Sequence, residues 1–547
     1  MHMAATSGAD TPVGKERAPD RSMMRFAGPL FRAIAGRRTE VLARQDTVAA
    51  QQRTLLQLVR KAANTKFGRD HGFAGIASVA DYQARVPLRR YDDFWREYWQ
   101  ASFPTARDCT WPGLAPYYSM SSGTSTGFNK YIPTTRELIH SNALMLRDAL
   151  AHHSANRPGT RALRGKVFML GGSTALTREA PGVQSGDLSG IELCELRWPV
   201  RRWFFPTLDL AAIADYETKI AAIAEASLTE DIRVIIGPPN WLLVYFERLL
   251  TLRPGATRLA EFFPNLELVI HGGMAFAPYR QRFLRLLEGS HAELREIYAA
   301  SEGFFAVADR GPGEGLRLVV DSGIFYEFVP MSELGSANPA RHWIGNAEPG
   351  IEYALAISNP SGAWSYLIGD TVRLTETNPA RLYVTGRTSY VLTPFGEHVI
   401  HDQLESALAA ASRGIGAEIA EYSVGPIFPG SEGAAGRHLY VIEFVGGVPE
   451  ADALRGFARV LDEHLIAANE DYARRRMRDI NLKPPQLLAV PAGTFHEWLR
   501  RRGRIGGQIK VPRVLNDRTL LDGLEQVALE VGAVPVEAGA WQAAAAQ

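Results

Sequence analysis

The chain has 547 residues, 46% hydrophobic and 22% charged, with a formal net charge of +1. That size and composition exclude both a single small domain and a disordered chain, and the balanced charge leaves no broad footprint for nucleic acid or an anionic membrane. Two cysteines, Cys109 and Cys194, exclude a disulfide framework or a Cys-rich zinc cluster and suit a reducing cytosol.

Residues 1–22 are small and polar, lack the continuous apolar core of a secretory signal, and read as a disordered tail. No later segment is apolar enough to span a bilayer, so the expectation is a soluble, cytoplasmic protein, with a monomer as the default. From 46 to 63, Val48, Leu55, Leu56, Leu58 and Val59 recur at helical spacing. A second helix starts at the Ser78 cap and breaks at Val86-Pro87-Leu88.

The stretch from Tyr118 to Lys130 is the most telling in the chain. Ser121, Ser122, Gly123, Thr124 and Ser125 lead through Thr126 and Gly127 to Lys130. Glycines let backbone N–H groups approach an anion, hydroxyls donate further hydrogen bonds, and a terminal lysine neutralises charge, as a triphosphate requires. A plain surface loop is the ordinary alternative. Gly123 to Gly127 also fits the G-x-S-x-G nucleophile elbow, but polar Tyr118-Ser119 before it and Pro133 after it make a poor strand–elbow–helix context. A Walker A loop fails because Lys130 is separated from Gly127 and followed by Tyr131.

A helix capped by Thr134 or Thr135 runs to 150, with Leu138, Asn142, Met145 and Ala149 as one face. Strands at 166–170, 233–236, 266–270 and 294–298 then alternate with helices at 210–226, 241–250 and 278–287. This alternation predicts an α/β fold with a largely parallel sheet and a ligand crevice at the carboxyl ends of its strands. A strand-rich region follows at 316–320, 324–329, 352–357 and 382–384, with Asp370 at the end of the apolar run Tyr366-Leu367-Ile368-Gly369. Asp370 either closes a turn or accepts the two hydroxyls of a ribose. Helices at 401–410 and 451–468 and strands at 422–425 and 439–444 then mark a separate small domain. The basic runs Arg474-Arg475-Arg476 and Arg500-Arg501-Arg502 read as solvated faces.

Taken in order, the loop with Lys130, then Tyr298-Ala299-Ala300-Ser301-Glu302, then Tyr366 to Asp370, then Gly386-Arg387 resemble the ordered signatures of the acyl-adenylate-forming (ANL) superfamily. Residues 65–73, Gly237-Pro238-Pro239-Asn240-Trp241 and Gln508-Ile509-Lys510-Val511-Pro512-Arg513 look most like the auxin-responsive promoter (Gretchen Hagen) family of acyl-acid amido synthetases. The resemblance covers roughly residues 47–530.

The resemblance implies a large adenylate-forming α/β domain over 23–386 with mostly parallel sheets, a hinge at 387–390, a small mobile α/β domain over 391–535 and a frayed tail from 536. It implies an ATP-dependent ligase, with ATP and Mg²⁺ as cofactors and a carboxylic acid and an amine, expected to be an amino acid, as substrates. Ser121, Ser122, Gly123, Thr124, Ser125, Lys130 and Ser301 would hold phosphates, and Glu302 would bind Mg²⁺. Gly272, Gly273, Met274 and Tyr298 would form the adenine slot, Asp370 and Arg387 would hold the ribose, and Lys510 would act in adenylation.

Ser389 stands where relatives carry an acidic hinge residue, and Lys510 lies in Gln-x-Lys-x-Pro-Arg, apart from the Gly-Lys pattern of acyl-CoA ligases. Arg147 is a candidate for a second acidic group of the acyl substrate, against the ordinary reading of a salt-bridged helix residue. Trp241, Phe276 and Phe304 are candidates to line an acyl pocket, against ordinary core packing. The rival functions are an acyl-CoA ligase with a thiol acceptor and a nucleotide-binding sensor that has lost turnover.

Overall fold

The computed structural model describes residues 21–122, 129–274, 276, 279–388, 392, 395, 397, 399, 401–428, 436–476, 482–502, 511–515 and 518–537. Helices α1 (Arg21–Ala43), α2 (Thr47–Ala62) and α3 (Val79–Arg85) come first. The Asp46 carboxylate accepts from the Ala49 N–H to start α2, and the Ser78 hydroxyl accepts from the Asp81 N–H to start α3. The apolar face of α2, including Leu55, Leu58 and Val59, is buried.

Residues 118 and 119 do not form the polar loop flank expected of them. They lie in β1 (Tyr117–Ser122), which pairs antiparallel with β2 (Asn129–Thr134), and both are fully buried. The Ser119 and Thr134 hydroxyls bond each other at 2.6 Å, so neither is left unsatisfied and a polar stretch can occupy a buried strand. A strand rather than a helix follows the loop, so the hydrolase elbow lacks its second half.

Next come α4 (Arg136–Asn156), β3 (Lys166–Met169), β4 (Thr177–Ala180), β5 (Val183–Gly186), α5 (Leu188–Glu195) and β6 (Phe204–Phe205). After these come α6 (Tyr216–Ser227), β7 (Ile232–Gly237), α7 (Pro239–Thr251), β8 (Leu268–Gly272), α8 (Arg280–Leu286), β9 (Glu293–Ala300) and β10 (Gly303–Val307). Thr135 caps α4, which runs past the predicted end at 150 because its last turns are buried and His153 pairs with Glu293 at 2.7 Å. Pro158 lies just beyond and stops it. The predicted helix over 210–226 divides, because Asp215 accepts from the Thr218 N–H and starts α6 afresh.

The run β11 (Leu316–Leu318), β12 (Phe325–Pro330), β13 (His342–Trp343), β14 (Glu352–Ser358), β15 (Tyr366–Thr377) and β16 (Ala380–Arg387) completes a twelve-stranded sheet. Its order is β13-β12-β14-β15-β16-β11-β10-β9-β8-β7-β3-β6. Pairing is parallel from β6 through β9 and antiparallel from β9 to β13. The α/β class stands, and the sheet is mixed: the largely parallel expectation describes only the half whose strands are joined by helical crossovers. In that half α4 contributes Met145 and Ala149 to the core on one face, while α6, α7 and α8 contribute Ile220, Phe246 and Phe283 to the core on the other. Strands β1, β2, β4 and β5 form their own four-stranded sheet.

The last unit contains α9 (His401–Ile415), β17 (Ile419–Ile427), β18 (Arg437–Phe444), α10 (Ala451–Ala468), β19 (Gln486–Val490), α11 (Thr494–Arg501), α12 (Arg518–Glu530) and β20 (Val534–Glu537). Its sheet order is β17-β18-β19-β20. Helices α9 and α10 pack on one face around Phe457 and Tyr440, and α11 and α12 pack on the other around Trp498 and Val441. Arg387 ends β16, while Ser389 and Tyr390 of the expected hinge lie outside the described residues. Strand β20 runs two residues into the tail expected from 536, and α1 starts within the one expected to 22. Among the described residues no helix is long and apolar enough to cross a membrane.

Candidate active site

The turn from β9 to β10 carries Ser301 and Glu302 at the junction of the parallel and antiparallel halves. Gly303 has φ +149°, and a Cβ there would lie 2.8 Å from Ile324, so a side chain would strain this reversal. Asn359 donates to the Glu302 carbonyl at 2.7 Å, and the Tyr366 phenol donates to the Glu302 carboxylate at 3.0 Å. Burial raises the Glu302 carboxyl above the ordinary glutamate range. The charges of Lys130 and Arg387 and the phenol bond oppose that rise, and Asp370 adds to it. The strand pairing seats Lys130 opposite Ser121, with its ammonium 5.3 Å from the centre of the Tyr91 ring.

Asp370 on β15 and Arg387 on β16 are register partners, and Arg387 Nε lies 2.8 Å from Asp370 Oδ1. The other carboxylate oxygen accepts the Tyr298 hydroxyl at 2.8 Å. The Tyr298 phenol is held well above its ordinary range by burial and by the Asp370 carboxylate, so it remains a donor. The family resemblance implies that Tyr298 borders the adenine, and in the structure its hydroxyl donates to Asp370, the carboxylate expected to hold the ribose. Lys130, Glu302, Tyr366, Asp370 and Arg387 thus act on one another's charge, although they come from three strands and the β9–β10 turn.

Gly272 closes β8, where a Cβ would lie 2.4 Å from the Ile297 carbonyl oxygen, and Gly273 and Met274 follow. His271 just before them is buried, its ring parallel to Phe276 at 3.7 Å, and burial pushes its imidazole down to about 3. Trp241, Met274 and Phe276 pack on the core formed by α6, α7 and α8, and Phe304 packs on the core beneath α4. Arg147 bonds its neighbour Asp148, which also pairs with Arg38 of α1 at 2.6 Å. Arg147 thus lies in an ion-pair cluster that includes Arg38 of α1. Ser122 closes β1, whereas Gly123, Thr124, Ser125 and Lys510 lie outside the described residues.

The sequence reading gave no role to Tyr366, Asn359 or Glu192, and placed Asn142 only on a helix face. Alternation along β15 carries the signal for Tyr366, because Tyr366, Ile368 and Asp370 are buried in turn while the residues between them are less so. Asn142 and Glu192 meet through tertiary packing of α4 on α5, which no local pattern encodes. Among the described residues no three His, Cys, Asp or Glu cluster to hold a metal. A lone carboxylate such as Glu302 suits a Mg²⁺ ion shared with substrate phosphates.

The chain matches the models of the GH3 family N-terminal domain over residues 41–193, central domain over 317–387 and C-terminal domain over 402–519. It is 22% identical to indole-3-acetic acid-amido synthetase GH3.8 of Oryza sativa subsp. indica, over 87% of this chain and 90% of that one. It is 23% identical to jasmonoyl–L-amino acid synthetase GH3.5 of Oryza sativa subsp. japonica, over 87% and 94%. Among solved structures it is similar to GH3.15 acyl acid amido synthetase, with a TM-score of 0.74 and 16% identity over 96% and 98% of the two chains. It is also similar to 2-hydroxyisobutyryl-CoA ligase in its postadenylation state, with a TM-score of 0.56 and 16% identity over 87% and 91%. At these identities the structural likeness is one of fold.

Proposed function

This chain belongs to the GH3 family, whose domain models match residues 41–193, 317–387 and 402–519, and on that premise we propose that it is an ATP-dependent ligase joining a carboxylic acid to an amino acid through an acyl-adenylate. The observation that carries this reading is the convergence of Lys130, Glu302, Asp370 and Arg387 in one electrostatic cluster at the seam of the sheet. In the first half-reaction a carboxylate oxygen attacks the α-phosphorus of ATP and pyrophosphate leaves. In the second, the amino nitrogen attacks the acyl carbonyl, AMP leaves and a proton is lost from nitrogen.

The residues contribute by position and charge. Ser121 and Lys130, with Ser122, Gly123, Thr124 and Ser125, would cradle the phosphates, and Ser301 would reach the α-phosphate. Asp370 would accept the ribose hydroxyls, because a carboxylate has about four lone-pair sites and Arg387 and Tyr298 occupy two. Arg387 holds that carboxylate in place, and Gly272, Gly273 and Met274 would border the adenine. Glu302 would hold Mg²⁺, which offsets the charge of the departing pyrophosphate. Lys510 would draw the attacking carboxylate and the α-phosphate together, so Lys510→Ala should slow adenylation about 10²–10³-fold while sparing amide formation from supplied acyl-adenylate.

A panel of carboxylic acids scored by ATP-dependent pyrophosphate release, then amino acids scored by amide formation, tests the reading. AMP and pyrophosphate are the expected products. ADP as the stoichiometric product, or a coenzyme A thioester in place of an amide, would overturn it.

A further inference from the structure

Beside the catalytic turn stands a carboxylate to which none of these roles has been given. Glu192 on α5 accepts the Asn142 side-chain N–H at 2.8 Å, and the Asn142 oxygen accepts the backbone N–H of Phe304 at 3.0 Å. Asn142 is 1% exposed, and its two bonds fix which end of its amide faces Glu192. Because Phe304 lies two residues after Glu302, this relay ties the Glu192 carboxyl to the turn that carries the candidate Mg²⁺ ligand.

The setting of Glu192 is unusual for a carboxyl so enclosed. Leu188, Ile191 and Leu193 around it on α5 are buried, yet Glu192 itself keeps some contact with solvent. No Lys, Arg or His among the described residues pairs with it, whereas Glu195, one turn along, is held by Arg136 at 3.2 Å and Tyr117 at 2.6 Å. Burial alone pushes the Glu192 carboxyl up to about 7, with only the Asn142 bond opposing, the mark of an acid that has no cation. A partly enclosed carboxylate without a cation is costly unless something supplies the positive charge.

We propose that Glu192 receives a protonated amino group of a substrate bound beside the reacting acyl group. The inference rests on the ligase reading. The ammonium could belong to the incoming amino acid or to an amino substituent on the acyl acid. In the first case Glu192 also takes the first proton that the ammonium loses and becomes a carboxylic acid; the neutral nitrogen then attacks the acyl carbonyl, the acyl–phosphate C–O bond breaks with AMP leaving, and the second nitrogen proton passes to solvent.

Glu192→Gln separates these cases, since glutamine can still accept the Asn142 N–H but carries no charge. With an acid that the wild type adenylates, acid-dependent pyrophosphate release is measured first, followed by acyl transfer to an amino acid and to hydroxylamine, which is largely uncharged at neutral pH. If the acceptor amine is the ligand, the variant keeps pyrophosphate release and hydroxamate formation and loses about 10–100-fold in kcat/KM for the amino acid, mostly through KM. If the acyl acid is the ligand, the same loss falls on amino-substituted acids in pyrophosphate release and spares their unsubstituted analogues. Unchanged kinetics in every arm, or an equal loss in all of them including hydroxylamine, would overturn the assignment. A wild type that releases no pyrophosphate with any acid would instead remove the ligase reading.

Discussion

Two buried glutamates in the large sheet are furnished in opposite ways. Glu327 on β12 is completely buried, and Arg341 donates to its Oε1 twice, at 2.7 and 3.0 Å. Gln83 adds a third bond to that oxygen at 3.0 Å, and the Ser365 hydroxyl bonds the other at 2.6 Å. Glu302, 8% exposed, receives among the described residues one side-chain bond, from a neutral phenol, while Lys130 and Arg387 act on it through space. The first carboxylate has its bonding capacity filled by the protein and holds α3 to β12. The second keeps acceptor capacity unfilled among the described residues, which suits the Mg²⁺ and polyphosphate proposed for it.

The largest expected effect is on the filled site. Glu327→Ala leaves the part-buried Arg341 charge without its carboxylate and should lower unfolding stability by about 3 kcal/mol, measured by denaturant titration, with turnover per folded molecule unchanged. A stable variant with poor turnover would break the contrast. Glu302→Gln should do the reverse, slowing pyrophosphate release about 10²–10³-fold without loss of stability. Because the folded pKa of Glu302 is raised, its contribution to stability is fully present below the ordinary value of 4.5 and is lost as pH rises through the folded value. The glutamine variant escapes that loss, so its stability at neutral pH should equal or exceed that of the wild type.

Asp370→Asn sharpens the comparison within the site. It keeps the shape but removes the charge shared by Arg387 and Tyr298, and should raise the KM for ATP about 10–100-fold. An unchanged KM would leave Asp370 only as the structural partner of Arg387 and Tyr298. The smallest effect belongs to Tyr366→Phe, which deletes one neutral donor at a cost of about 0.5–1.5 kcal/mol. That bond favours the ionised form of Glu302, so its loss should move the acidic limb of the pH–rate profile to higher pH along with a few-fold fall in rate at neutral pH.

Legibility in the sequence followed the range of the interactions. The Ser78 cap and the helices at 46–63 and 451–468 are readable because each is decided within a few residues. The order of the motifs led to the family, and Lys130, Glu302, Asp370 and Arg387 could be named before any geometry was known. What was missed depends on partners far away in the chain. The burial of Ser119 needs Thr134, the length of α4 needs Glu293, and the antiparallel half of the sheet needs strands pairing across loops. The run Arg474-Arg475-Arg476 was expected to be solvated, yet Arg476 is 2% exposed and forks onto Asp462.

The seam between β9 and β10 also has a meaning for how the chain folds. Its cross-connections span long loops: Tyr298 to Asp370 covers 72 residues, Tyr366 to Glu302 covers 64, and Asn142 to Phe304 covers 162. Such distant closures are entropically slow to make. A chain that has formed only its βαβ half has neither Asp370 nor Tyr366 in place, so it has no complete nucleotide site. ATP would then bind only the finished sheet, and at about a hundred times its Kd would add about 2.7 kcal/mol to the native state alone.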